Sequence, residues 1–386
     1  MQGMNENALV FPNASQLSAA TRVACHADTS LLAVTDMELT DAYPGLIVSP
    51  VSAAAGRTAP AGARAMCCHE RGVYWVAQHR AAVGTLNFHE ACLRMLTKAE
   101  MAAALSAAGV GVTRKYRLAD VRDPASLPYP LIAKPNFGFA STLVKRIPNV
   151  DSLRKYQEEF AELRQRSLLT EYDGFAVGCL GADLLEVVLE PDLSRLTRFL
   201  TIPFLVRDGK LTQYFPITGL SQHRSELTDF EWTGFHTGPV RHAATAIEKV
   251  LSRLIPVLGL TGGVYEIEAL YDDAEDRLFV LEFSPRVTGG SIPQLIQLAF
   301  GVDLDFLGML NFLGVSVQPA QVHAARTLVL TIRRAESPVD SELRGRPVLN
   351  RRVRWLGGSE YVDEIREADP AKLSTDELAG GVDREI

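Results

Sequence analysis

The chain has 386 residues, 47% hydrophobic and 22% charged, with a formal net charge of −7 at pH 7. That length exceeds what one small core holds and points to two or three domains or subdomains. The acidic balance, with no Lys/Arg block, excludes a general nucleic-acid or anionic-membrane binder, so a polyanionic ligand must be held by local basic residues and a metal.

Residues 1 to about 90 carry short apolar runs, SLLAVTDMEL, GLIVSP, GVYWVAQH and AAVGTLNF, broken by turns. Their spacing predicts a small αβ unit with a parallel sheet, and VSAAAGRTAPAGARA reads as a loop. The opening residues lack the basic start and apolar run of a secretory signal. Cys25, Cys67, Cys68, Cys92 and Cys179 show no C-x-x-C spacing and read as reduced thiols of a cytoplasmic protein, not as a disulfide frame or zinc site.

Thr97-Lys98-Ala99-Glu100 has the pattern of a capping box, and MAAALSAA closed by Gly109 predicts a helix. Lys98 then holds its first position, where the positive end of the helix dipole disfavours a cation by about 0.3 kcal/mol or more. A lysine there is misplaced for stability and well placed for a phosphate. YPLIAKP (129–135) predicts a buried strand with one embedded lysine, and NFGFASTLVKRI a small-residue turn into a second strand. Lys134 in such a strand needs a counter-anion, and Gly138, Ala140, Ser141 and Thr142 offer N–H and hydroxyl donors to phosphate oxygens. A lysine snorkelling from a sheet edge fits the same residues.

Asp151-Ser152 is a predicted cap for the helix DSLRKYQEEFAELRQR, with Leu153, Tyr156, Phe160 and Leu163 on one face. SLLTEYDG reads as a strand ending in a polar turn, and TIPFLVRDGKLTQYFPI as a hairpin about Asp208-Gly209. An amphipathic helix over 239–258 ends near Gly259, with Ala243, Ile247, Val250, Leu251 and Leu254 toward the core. Pro293 opens a helix that Gly301 closes. The apolar stretch 291–317 contains Asp303 and Asp305 and reads as buried helices, not a membrane span. The tail after about Ala335 mixes charges, Gly and Pro, and its last twenty residues are expected to be poorly ordered.

The sharpest chemical signal lies between these helices. GGVYEIEALY and RLFVLEFSPRVTGG, joined by the turn-rich DDAED, predict an antiparallel hairpin over Gly263–Tyr271 and Arg277–Phe283 that brings Glu268 and Glu282 onto neighbouring strands. Glu282, Ser284 and Arg286 share one face by alternation, while Leu281 and Phe283 point to the core. Carboxylates in apolar strands need a cation against them, and two hard oxygen ligands with a nearby guanidinium suit a magnesium-bound polyphosphate. A surface hairpin with solvated acids is the plain alternative.

Together, residues 95 to 315 resemble the ATP-grasp superfamily, and within it the carboxylate–amine ligases that include L-amino-acid ligases, D-alanine–D-alanine ligase and biotin carboxylase. The stretch GGVYEIEALYDDAEDRLFVLEFSPRVTGGSIPQLIQLAFGVDL is similar to the family's metal-binding hairpin, its Glu-x-Asn-x-Arg segment and the glycine turn into a helix. The resemblance implies an α/β (α+β) fold in which two αβ subdomains clasp ATP behind a small N-terminal domain. Its expected divisions are 1–95, a small subdomain over 96–170, a large one over 171–320, and a C-terminal segment, 321–386, packing on the large one.

The resemblance also implies roles. Glu268 and Glu282 would hold Mg2+, or Mn2+ in its place, and Arg286 would contact the γ-phosphate and an acyl-phosphate intermediate. Lys98 and Lys134 fall where the family has its two ATP lysines, with Gly138 and Ser141 in the loop 136–142 over the phosphates. LLTEYDG would be the hinge, Glu171 and Tyr172 reading adenine, and His236 in GFHTGPV matches a histidine near the acceptor site. The implied activity is ATP-dependent joining of a small carboxylate to an amine, with ADP and phosphate released. The expected partners are small molecules, without nucleic acid or membrane, and the apolar 291–317 stretch offers a homodimer contact. Departures are Ser284 where asparagine is common, Glu266 where histidine is common, a loop with one glycine, and Ala176 near the usual ribose acid, with Asp173 or Asp183 as substitutes. They leave open a nucleotide-binding protein without ligase turnover. A biotin-dependent carboxylase fits less well with the short N-terminal region and the sparse glycine loop.

Overall fold

The computed structural model describes residues 7–10, 12–35, 43–50, 53, 64–69, 72–73, 75–76, 97–136, 144–165, 187–193, 198–219, 232–238, 243–316, 324, 326–335, 346–356 and 359–368. Its strands form three sheets of four, nine and four strands.

The first sheet holds β1 (Asn7–Val10), β2 (Leu31–Val34), β3 (Leu46–Ser49) and β4 (Arg64–Cys67) in the order β3-β2-β1-β4, with every pair parallel. This is the expected N-terminal αβ unit. Its helix α1 (Ala14–His26) is started by a capping box between Asn13 and Gln16. The apolar-run reading passes over α1 because its buried side rests largely on alanines, Ala19, Ala20 and Ala24 beside Leu17 and Val23. β4 begins inside the stretch predicted as a loop. Ala65, Met66 and Cys67 carry no strong strand preference, and their burial beside β1 fixes them as a strand.

The small sheet consists of β5 (Tyr116–Arg117), β6 (Leu131–Pro135), β7 (Lys145–Ile147) and β8 (Val187–Pro191), all antiparallel in the order β5-β8-β6-β7. Helix α2 (Lys98–Ala107) precedes it and α3 (Val150–Gln165) follows β7. One face is apolar: Leu131, Ala133, Ile147, Val187 and Leu189 pack on Leu153, Tyr156 and Phe160 of α3. α3 starts one residue earlier than predicted. Asn149, not Asp151-Ser152, is the cap, its side chain accepting from the Ser152 N–H at 2.9 Å.

The large sheet runs β14-β13-β9-β11-β12-β15-β17-β16, with β10 beside β9. Its strands are β9 (Arg198–Arg207), β10 (Lys210–Tyr214), β11 (Ile217–Gly219), β12 (Trp232–His236), β13 (Gly262–Asp272), β14 (Arg277–Ser284), β15 (Leu328–Arg334), β16 (Val348–Leu356) and β17 (Ser359–Glu367). The predicted hairpin turn is present, with φ of 51° at Asp208 and 72° at Gly209, the left-handed pair that matches strand twist. Alternation along β9 divides two cores. Leu200, Ile202, Phe204 and Val206 join Ile247, Leu251 and Leu254 of α4 (Ala244–Leu258). Leu205 and Val264 on the other face meet α5 (Ile292–Phe300) and α6 (Leu304–Phe312).

α5 and α6 are the buried helices expected over 291–317; they bend by 98° at their junction, and no single described helix is long and apolar enough to cross a membrane. One expectation shifts. The residues after Ala335, read as a mixed tail, supply β16 and β17, a paired hairpin that extends the large sheet. β8 pairs with β6 in the small sheet, and β9, the next described strand, lies in the large sheet.

The segment leaving α2 is docked directly on the large sheet. Val280 N–H donates to the Gly111 carbonyl at 2.8 Å, and Val112 bridges Val280 in parallel. A Cβ at Gly111 would lie 2.4 Å from the Leu278 carbonyl oxygen, so only glycine permits this approach. Gly111→Ala is expected to cost about 1–3 kcal/mol by overpacking; urea denaturation checks it, and an unchanged midpoint would mean that the docking is not tight.

Candidate active site

β13 and β14 pair with Glu266 opposite Ser284 and Glu268 opposite Glu282, and a bulge follows between Glu268 and Ala269. The predicted hairpin therefore sets the two carboxylates side by side on one face, where like charges directly opposite repel. Glu268 keeps partial solvent access. It nevertheless lies deep enough among protein atoms that burial, followed by the charges of Glu282 and Glu266, pushes its pKa up to about 8, against the pull of Lys134 and Lys98. A pair of acids in this state gains from a cation.

The third acid is used differently from what the sequence suggests. Glu266 is buried and its Oε2 lies 3.6 Å from Nη1 of Arg286, which also donates to the Val287 carbonyl at 2.9 Å. Glu266 thus holds the guanidinium at the end of the Glu282-Ser284-Arg286 row. No trio of His, Cys, Asp or Glu among the described residues is gathered as a complete metal cage. Glu268 and Glu282 form a two-carboxylate site that other oxygens must complete, which suits an ion that keeps waters and binds phosphates.

The small sheet turns its polar face to these acids. Lys98, buried at the first position of α2, places Nζ 3.8 Å from Glu282 Oε2. Lys134, buried on β6, feels both Glu282 and Glu268; burial first and then Lys98 lower its pKa to about 8, while those carboxylates raise it. The structure therefore brings Glu268, Glu282, Lys98 and Lys134 together, with Arg286 beside them.

It also adds residues that the sequence reading missed. Lys134 is ion-paired with Glu190 of β8, and so is Lys115, whose Nζ donates to Thr113 Oγ1 at 2.7 Å; Thr113 donates in turn to Glu190 Oε2 at 2.5 Å. The signal for Glu190 was available, because an acid in the apolar run VVLEP is the counterpart of the lysine in LIAKP. Lys115 sits in RKYR, where nothing separates it from an exposed basic residue.

Other expectations change. Thr97 makes no side-chain cap on α2. Asn136 caps it from across the fold, its carbonyl accepting from Lys98 N–H at 2.8 Å and its Oδ1 from Ala99 N–H at 2.9 Å. Those two N–H groups are thus already engaged, and Lys98 acts through its ammonium. His236 is not brought to the acids. Strand register puts it in the row of Thr218 and Leu200, on the α4 face, whereas Glu268 lies in the row of Thr201 and Ile217 on the opposite face. His236 is buried, its Nδ1 accepts from Gly238 N–H, and burial followed by Arg198 lowers its pKa to about 4, leaving it neutral at pH 7. Gly138, Ser141, Glu171 and Tyr172 lie outside the described residues.

Asn136→Ala is expected to cost about 1 kcal/mol through loss of the cap, read by chemical denaturation; a cost near zero would show that water replaces it. In metal-free buffer the raised pKa of Glu268 means that its contribution to stability is lost as pH rises from about 4.5 to about 8. Glu268→Gln should therefore melt increasingly above the wild type across that window, and added magnesium should raise only the wild-type melting temperature. A pH-independent difference would contradict the buried-acid account.

The chain matches no protein-family model and no curated protein sequence. Among solved structures it is similar to the L-amino acid ligase from Bacillus licheniformis, at a TM-score of 0.64 and 15% identity over 95% of each chain. It is also similar to biotin carboxylase from Campylobacter jejuni, solved as a β,γ-ATP complex, at 0.63 and 12% identity over 94% of this chain and 87% of that one. A third is N5-carboxyaminoimidazole synthetase from Staphylococcus aureus, at 0.60 and 13% identity over 97% and 96%. At these identities the likeness speaks for the fold alone, and that fold is the ATP-grasp fold.

Proposed function

We propose that this protein is an ATP-dependent carboxylate–amine ligase that forms an amide or peptide bond, acting on amino acids or a related small metabolite. The observation that carries the reading is the meeting of Glu268 and Glu282 on one sheet with Lys98 and Lys134 from the other side, at a Lys98–Glu282 distance of 3.8 Å. Supporting it, the biotin carboxylase of similar fold was solved with a β,γ-ATP ligand, and the B. licheniformis protein is an L-amino acid ligase.

Amide formation from a carboxylate at neutral pH needs a leaving group. In the proposed sequence a substrate carboxylate oxygen attacks the γ-phosphorus of ATP, the bond to the β,γ-bridging oxygen breaks, and ADP departs. The resulting acyl phosphate is attacked at carbon by an amine; phosphate leaves and the amine gives up a proton. Magnesium, held by Glu268 and Glu282, would supply charge neutralisation at the phosphate oxygens. Lys98 and Lys134 would bind the triphosphate, and Arg286, steadied by Glu266, would offset charge that grows on the transferring phosphoryl group. His236, neutral and on the other face, takes no part in this scheme.

The test is phosphate and ADP release with a panel of amino-acid pairs, at pH 7–8 with magnesium. Glu282→Ala and Arg286→Ala should each lower turnover at least about 100-fold, with ATP binding weakened more by the first. ATP bound tightly by calorimetry, with no ADP formed on any pair, would instead favour a nucleotide-binding protein without turnover.

A further inference from the structure

We propose that Lys115 is a third cationic anchor for the nucleotide's polyphosphate and that Glu190 is the positioning residue that holds Lys115 and Lys134 toward it; the inference rests on the ATP-dependent reading above. The geometry starts with the register of the small sheet. Tyr116 pairs with Leu189 and Ile132 with Glu190, so Lys115, just before Tyr116, lies alongside Glu190, while Lys134 is two residues beyond Ile132 on the same strand. These three polar side chains occupy the face opposite Leu131, Ala133 and Leu189, which pack on α3. They are nearly inaccessible, with side-chain exposures of 3% for Lys115, 5% for Glu190 and 8% for Lys134.

Two ammonium groups on one buried carboxylate are more than a structural ion pair needs. Lys134 alone neutralises Glu190, and a second buried ammonium adds desolvation cost together with repulsion from the first. Burial, then Lys134 and Lys98, hold the Lys115 ammonium well below its usual range, while Glu282 raises it. Lys115 thus feels Glu282 of the large sheet as well as its immediate partner Glu190.

Charge counting gives the surplus a purpose. With a divalent ion on Glu268 and Glu282, and Arg286 against Glu266, the remaining groups are Lys98 and the Lys115–Lys134–Glu190 set. With all three lysines protonated they leave two positive charges for a polyphosphate, and without Lys115 only one. Thr113, linking Lys115 to Glu190 by two hydrogen bonds, fixes where that charge sits.

Calorimetric titration of MgATP, MgADP and AMP into the full chain, wild type and Lys115→Met, tests this. Loss of one charge-assisted contact should weaken MgATP at least about tenfold, AMP by no more than about twofold, and Lys115→Arg should restore most of the MgATP affinity. If Lys115→Met does not fold, Lys115→Gln, whose amide still reaches Glu190, is read in the same way. MgATP affinity within about twofold of wild type, or equal losses for MgATP and AMP, overturns the proposal while leaving the nucleotide reading intact. Wild-type protein that binds no MgATP overturns both.

Discussion

Two carboxylates directly opposite each other on adjacent strands, Glu268 and Glu282, are the constraint on which the rest of the arrangement turns. Left alone in an apolar sheet they repel and lose hydration, and burial with that repulsion raises the pKa of Glu268. Everything around them works to offset it. Lys98 arrives from the first turn of a helix, Lys134 from the end of a strand, and Glu266 is kept occupied by Arg286. Under the proposed function a divalent ion and a polyanion together would offset this cost better than either alone, because each neutralises what the other brings.

The meeting of the two sheets is built with backbone as well as charge. Gly111 lets the segment after α2 run against β14, close enough for Val280 to donate to its carbonyl. Asn136, the residue just after β6 and the last described before 137–143, closes the N-terminus of the same helix. The helix carrying Lys98 is therefore tied at its beginning to the strand carrying Lys134 and, just past its end, to the strand carrying Glu282. Val287 N–H, donating to the Cys67 carbonyl, connects the residue after Arg286 to the N-terminal sheet in the same manner.

His236 and Glu190 show how sequence resemblance and tertiary placement diverge. The histidine sits in a suggestive motif yet one step of strand alternation turns it to the α4 face, where burial keeps it neutral. The glutamate attracted no attention in the chain and proves to be the shared partner of two buried lysines. Likewise the apparent capping box at Thr97–Glu100 is not formed as such, since Asn136 reaches the helix end from 37 residues away. Motif spacing specifies which groups can meet along a strand or helix; it is silent on which face meets which neighbour.

Local patterns were enough for much of the architecture. The alternating acids on either side of a turn defined the β13–β14 hairpin, the Asp208-Gly209 pair defined the β9–β10 turn, and the spacing of Ile247, Val250, Leu251 and Leu254 defined α4, because each follows from a period or a turn conformation that a short segment imposes on itself. The partnership of Lys115 with Glu190, the engagement of Glu266 by Arg286, the side of the sheet occupied by His236 and the pairing of β16 with β17 depended on contacts between segments distant in the chain. Those contacts are settled by which apolar faces bury against each other, and a linear string of residues carries no record of that choice.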